Sequence, residues 1–261
     1  MYKKDKMTAI YRLGCLTEQR IMSPADSLPR EKGSIFMGLI FDMDGVLVNS
    51  NAAHLASWMK IAEEDGVVFS EETFWRTFGM TSEYIVEHYW KTPITPEELA
   101  DVVERKETAF RESIVEHVRP IDGAVDFVRY LADNGVPMAV GSSAPKVHVE
   151  YVLDWMSIRD FFGDRVVAGN EVKQGKPAPD IFISCARKLG ETPERCVVID
   201  DSRSGVNAGK NANMTTIGFF SDGHAETEYE RADFVARSFD EIRQVLKIDS
   251  LGNLSLQSVR N

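Results

Sequence analysis

The chain has 261 residues, 43% of them hydrophobic, and a formal net charge of -11, enough apolar material for one domain or for a core that carries an insertion. The acidic balance and the lack of any Lys/Arg cluster argue against a nucleic-acid partner, because phosphate backbones recruit basic patches. No apolar run approaches the ~20 residues of a membrane helix, and Cys15, Cys185 and Cys196 show neither CxxC spacing nor an even count, so a reducing, cytoplasmic compartment without zinc or disulfides is expected; the expected state is a monomer, with a weak dimer as the alternative.

Residues 1–33, with Lys3, Lys4, Lys6, Pro24 and Pro29, mix charge and breakers without a sustained period and read as a flexible extension outside the fold. Residues 35–45, IFMGLIFDMDG, form an apolar run that ends in two aspartates and a glycine. Such a run fits a strand buried on both faces of a parallel sheet. Residues 51–64 follow as an amphipathic helix, with Leu55, Trp58, Met59 and Ala62 at helical spacing and Ser50 or Asn51 as its cap. Gly66 breaks it. Helical patterns continue over 71–78, 82–90 and 96–116 with no strand between them. This all-helical block, residues 51–118, reads as a cap domain inserted after the first strand.

From Gly123 the pattern alternates. Helices are expected at 124–133, 146–155, 180–189, 204–211 and 240–246, and strands at 136–140, 165–168, 196–199, 214–219 and 232–235. Alternation of this kind implies a doubly wound parallel α/β sheet, a Rossmann-like core made of residues 34–50 and 119–247. Residues 248–261 are polar and read as a flexible tail.

Ligands of doubly wound sheets bind beyond the carboxyl ends of the strands, so the residues there carry the chemistry. Asp42 and Asp44, two apart in an extended chain, point to one side. Two such anions repel unless a cation or a proton sits between them, and an oxygen-only pair suits Mg²⁺. Ser142 and Ser143 close the strand of residues 136–140 and fit either a helix cap or an anion cradle. Lys176, in GKPAPD, is either a solvated charge or a cation aimed by the prolines that follow it. Asp200 and Asp201 end the run CVVID and serve either to cap the next helix or to complete an oxygen-rich metal site with Asp42.

The string FDMDGVLVNS resembles the first motif of the haloacid dehalogenase-like phosphohydrolases, particularly the subgroup with phosphoglycolate phosphatase and β-phosphoglucomutase. Ser142, GKPAPD and the Asp200–Asp201 pair match the second, third and fourth motifs in the same order. Asp200 departs mildly from the family's frequent glutamate. The resemblance spans residues 35–220. It implies that Asp42 is the nucleophile of an aspartyl-phosphate mechanism and that Asp44 is the general acid and base. It further implies that Ser142, Ser143 and Lys176 bind phosphate, and that Mg²⁺ is held by Asp42, the Asp44 carbonyl and Asp201 with help from Asp200.

His54 and Trp58 occupy positions equivalent to a histidine and a tryptophan at the core–cap boundary of β-phosphoglucomutase; the alternative is simple packing of His54 on Trp58. Where that enzyme carries Gly-Val-Ser-Arg, this chain has Gly79-Met80-Thr81-Ser82, which leaves Arg76 as the nearest cationic candidate. The expected function is hydrolysis of a small phosphorylated metabolite, with phosphomutase as the alternative and a non-catalytic phosphometabolite sensor behind it.

Overall fold

The computed structural model describes residues 35–90, 93–220 and 226–257. The expected extension at 1–33 and the last four residues lie outside them. Strand β1 (Gly38–Phe41) is fully buried and is followed by a two-residue strand, β2 (Val48–Asn49). Four helices come next: α1 (Asn51–Asp65), α2 (Glu71–Thr77), α3 (Ser82–Tyr89) and α4 (Pro96–His117). A short strand β3 (Arg119–Pro120) then pairs antiparallel with β2. The chain therefore leaves and re-enters the α/β part through two hydrogen-bonded neighbours, a pairing too short for sequence periodicity to show.

The remainder runs α5 (Ala124–Asp133), β4 (Met138–Gly141), α6 (Lys146–Trp155), α7 (Arg159–Phe162), β5 (Val166–Val167), α8 (Asp180–Leu189), β6 (Cys196–Asp200), α9 (Arg203–Asn211), β7 (Thr215–Phe219), β8 (Phe234–Ala236), α10 (Phe239–Val245), β9 (Leu246–Ile248) and β10 (Leu254–Leu256). Six strands form one parallel sheet in the order β5-β4-β1-β6-β7-β8. The winding runs outward from β1 to β5 and then crosses back to β6 on the other side of β1. The strand ends of β1 and β6 thus flank the point of reversal, where doubly wound sheets open a crevice.

The unbroken apolar runs follow from burial on both faces. Leu39 and Phe41 of β1, with Val197 and Ile199 of β6, join one cluster built with Phe127, Phe162 and Phe239. Ile40 and Val198 point the other way, into a second cluster with Ile181 and Phe182. The four inserted helices have a third apolar cluster, made by Trp58, Ile61, Phe69, Phe74, Val86 and Trp90.

Several boundaries differ from expectation. The strand expected at 136–140 starts at Met138, because Val136 N donates back to Leu131 O and completes the end of α5. The strand expected at 232–235 begins at Phe234; Asp233 instead accepts from Lys210 Nζ and Thr216 N. The largest correction concerns the tail, which is no free segment over its described residues. Asp249 Oδ1 accepts from Leu251 N and Asn253 N, turning the chain so that β10 pairs with β9. Leu254 is 1% exposed and exchanges backbone hydrogen bonds with Phe36. Leu254→Ala is therefore expected to cost about 2–4 kcal/mol in urea denaturation, where a free tail gives no change.

Candidate active site

Asp42 stands directly after β1 and is 5% exposed. The chain then reverses over Met43, whose carbonyl accepts from Leu47 N and Val48 N and whose side chain is fully buried in the core. Gly45 makes this possible. Its φ is +79°, and a Cβ there would lie 1.7 Å from Asp201 Oδ2, so only glycine lets the β1 loop close on the acid that follows β6.

Lys176 Nζ, 4% exposed as a residue, donates to Asp42 Oδ1 at 2.7 Å and to Asp200 Oδ2 at 2.8 Å. The other Asp200 oxygen accepts from Ser202 N and Ser202 Oγ, both at 2.9 Å. Asp200 thus orients the lysine. One carboxylate oxygen each from Asp42, Asp200 and Asp201 lies within 4.8 Å of the others, and all three residues are buried. Burial raises the Asp42 carboxyl to about 7 although Lys176 opposes the rise; Asp200 and Asp44 add to it. Lys176 itself would be lowered by burial, but Asp200 and Asp42 more than offset this, and it stays charged. Three buried carboxylates against one lysine leave an oxygen-only, net-negative pocket, which a hard divalent cation fits.

Asp44 lines the same cavity as Asp42, yet its side chain takes different partners from those expected. Ser50 Oγ donates to Asp44 Oδ1 at 2.6 Å, which is why Ser50 precedes α1 without a side-chain capping bond. His54 Nε2 lies 3.2 Å from the same oxygen. Burial would raise Asp44, but His54, followed by His148 and Ser50, outweighs it and holds the carboxyl below its ordinary range. His54 is itself lowered by burial and by the charge of Lys106. We take the ring as neutral at neutral pH, with Nδ1 accepting from Lys106 Nζ at 3.1 Å and Nε2–H donating to Asp44.

Beyond His54 the polar chain continues through residues the sequence did not single out. Lys106 Nζ donates to Glu107 Oε1 at 2.8 Å, Ser82 Oγ donates to the same oxygen at 3.0 Å, and His148 Nδ1 lies 3.1 Å from Glu107 Oε2. Adjacent opposite charges in a charge-laced helix read as solvated; here Lys106 and Glu107 are 2% and 3% exposed. Asp44, His54 and His148 also bring one ligand atom each within 4.8 Å of one another. With the Lys106 ammonium on His54 Nδ1, that group reads as a hydrogen-bond network and not as a second cation site.

The other expected residues divide. Ser142 is buried, lines the cavity and accepts from Ala144 N through Oγ at 3.1 Å. Ser143 turns to the inserted helices and donates to Gly79 O at 2.8 Å. Ser204 Oγ lies 3.3 Å from Phe78 O, and a Cβ on Gly79 would fall 2.4 Å from Ser202 Oγ. The 78–79 segment is thus seated on the α/β part. Trp58 lines the cavity and stacks on Phe69. Arg76 is exposed, sits over the Tyr89 ring and does not line the cavity. The space left at the centre has a volume of about 60 Å³, room for a few water molecules.

Strand-end acids and a buried lysine at the winding reversal of a parallel sheet agree with the family comparison, in which residues 36–213 match the model of the haloacid dehalogenase-like hydrolases. The chain belongs to this family. It is 31% identical over 185 residues to a fructose-1-phosphate phosphatase of Escherichia coli (strain K12), covering 70% of this chain and 95% of that protein. It is 30% identical over 226 residues to the chloroplastic 5-amino-6-(5-phospho-D-ribitylamino)uracil phosphatase of Arabidopsis thaliana. That match covers 86% of this chain but spans only 60% of the plant protein. Among solved structures, a β-phosphoglucomutase from Clostridium difficile superposes with a TM-score of 0.70 at 22% identity, over 80% of this chain and 96% of that one, a likeness of fold.

Proposed function

We propose that the protein is a Mg²⁺-dependent phosphatase that cleaves a small phosphomonoester, a sugar phosphate or similar metabolite, through an aspartyl-phosphate. The observation that carries this reading is Asp42, buried at the end of β1, hydrogen-bonded to Lys176 and gathered with Asp200 and Asp201. Asp42, Asp201 and the main-chain carbonyl of Asp44 would hold Mg²⁺, with Asp200 behind them. When bound, the ion neutralises phosphoryl oxygens and lets Asp42 stay ionised near neutral pH.

Asp42 attacks phosphorus and the bond to the substrate's ester oxygen breaks. Lys176 and the Ser142 side chain bind non-bridging oxygens. The departing oxygen takes a proton from Asp44, whose carboxyl is raised again by the phosphate dianion beside it. Water then attacks phosphorus and gives its proton to Asp44, the bond to Asp42 breaks, and inorganic phosphate leaves. The helices α1–α4 act as a cap that excludes bulk water from both steps.

Hydrolysis is preferred to phosphoryl migration because a mutase must anchor a second phosphate. Arg76 lies over the Tyr89 ring and does not line the cavity, and the two lysines that line it are each held by a carboxylate. The test is a panel of phosphorylated metabolites with Mg²⁺, followed by phosphorus NMR. Inorganic phosphate is expected, with little isomerisation of β-glucose 1-phosphate; faster appearance of glucose 6-phosphate overturns the choice, and full activity in excess EDTA rejects the metal. Mg²⁺ is also expected to raise Tm more at pH 8 than at pH 5.5, because protons compete with the cation for Asp42.

A further inference from the structure

We propose that Glu107 and His148 are a positioning pair that makes proton transfer by Asp44 conditional on a seated cap; this rests on the phosphatase reading above. Glu107 lies on α4, within the cap, and His148 on α6, within the α/β part. Both are buried, at 3% and 0% exposure. A carboxylate only accepts, and burial, which would raise Glu107, is outweighed by Lys106 and His148, so the group remains anionic. The hydrogen bond at 3.1 Å therefore places the His148 proton on Nδ1. His148 Nε2 is buried and without a hydrogen-bond partner among the described residues.

A buried ring that leaves one nitrogen unsatisfied pays a desolvation penalty, and an apolar residue would pack on Phe110 without it. What the ring adds is a directed donor. It holds Glu107, which accepts from Lys106 and Ser82 through its other oxygen. Glu107 in turn holds Lys106 on His54 Nδ1. With Nδ1 occupied, the His54 proton must sit on Nε2, where it faces Asp44. The circuit leaves the α/β part at Asp44, crosses α1 and α4, and returns at His148. Lifting the cap separates Glu107 from His148 and Asp44 from His54 together, so the donor to Asp44 is positioned only in the closed molecule.

A group that works through Asp44 matters most when the leaving oxygen needs a proton. The test compares an alkyl phosphomonoester from the panel with p-nitrophenyl phosphate, whose phenolate departs without one. Because dephosphorylation also uses Asp44 on either ester, the comparison is made in kcat/KM, which reports the step in which the leaving group departs: His148→Phe is expected to lower kcat/KM on the alkyl ester at least about tenfold and to change that on p-nitrophenyl phosphate less than about threefold, while His148→Asn, whose amide replaces the Nδ1 donor, recovers most of the loss. An equal fall on both esters, or none on either, overturns the pair while leaving the phosphatase assignment standing. Wild-type protein inert on both esters rejects that assignment instead. Imidazole nitrogen NMR then decides the pair without turnover: a proton on His148 Nδ1 supports it, and a ring protonated on Nε2 alone overturns it.

Discussion

Asp42→Asn is expected to reduce phosphate release by at least about 10⁴-fold while leaving the protein folded. In the proposed mechanism the side chain attacks phosphorus, and an amide oxygen would neither attack comparably nor carry charge to a cation. Lys176 keeps Asp200 as a partner at 2.8 Å, so the exchange strands no charge. The substitution is also expected to change the pH dependence of stability. Asp42 titrates at about 7 in the metal-free protein and at 3.8 as an ordinary carboxyl. Between those values the folded state holds a proton that the unfolded chain has released, so this group's contribution declines as pH rises from about 4 to 7. Asparagine abolishes that decline, and metal-free Asp42→Asn is expected to melt above wild type at pH 8 with a smaller difference at pH 5. Retention of more than a few per cent of wild-type activity removes Asp42 from the nucleophile's role.

Lys176→Met is expected to cost both activity and stability. Methionine keeps the length and the contact with the Phe182 ring, over which the ammonium lies 4.9 Å from the centroid. It leaves Asp42 and Asp200 buried without a cation between them. Removing one partner of a buried pair costs about 3–5 kcal/mol, and the loss should be largest above pH 7, where the Asp42 carboxyl, raised to about 7 by burial, is ionised. Guanidinium titrations at pH 8 and pH 5 check this, and an unchanged midpoint at pH 8 contradicts a bridging role for Lys176. Added Mg²⁺ should restore part of the stability at pH 8, since it replaces some of the missing charge, but not the phosphoryl contact.

The parallel core could be read from the residues because β1 and β6 send alternate side chains into two different apolar clusters, which turns period-two alternation into unbroken runs. The acids were legible for a related reason, since they end or follow those runs where a winding reversal opens, and Lys176 was legible from the prolines that follow it in GKPAPD. Lys106, Glu107 and His148 were not legible. Nothing in a 22-residue helix as charged as α4 tells which turn is covered, and the partner on α6 is 41 positions away. The β9–β10 hairpin was hidden by its polar turn, where Asp249 and Asn253 suggest solvent while their hydrogen bonds build the reversal. The divergence of Asp42 and Asp44 could not be seen either, since it depends on Ser50 giving up a helix cap to bind Asp44.

The bonds that seat the 78–79 segment join serine hydroxyls of the α/β part to main-chain oxygens of Gly79 and Phe78. A main-chain oxygen is offered by every amino acid, so this fastening is blind to most side chains of the segment it holds. Phe78 and Met80 line the cavity, whereas Gly79 alone is constrained by the close approach of Ser202 and Ser204. The aromatic and thioether groups that line the cavity can therefore be exchanged without loss of these main-chain bonds. Under the proposed function, laboratory selection at positions 78 and 80 is expected to alter substrate preference with little loss of maximal rate.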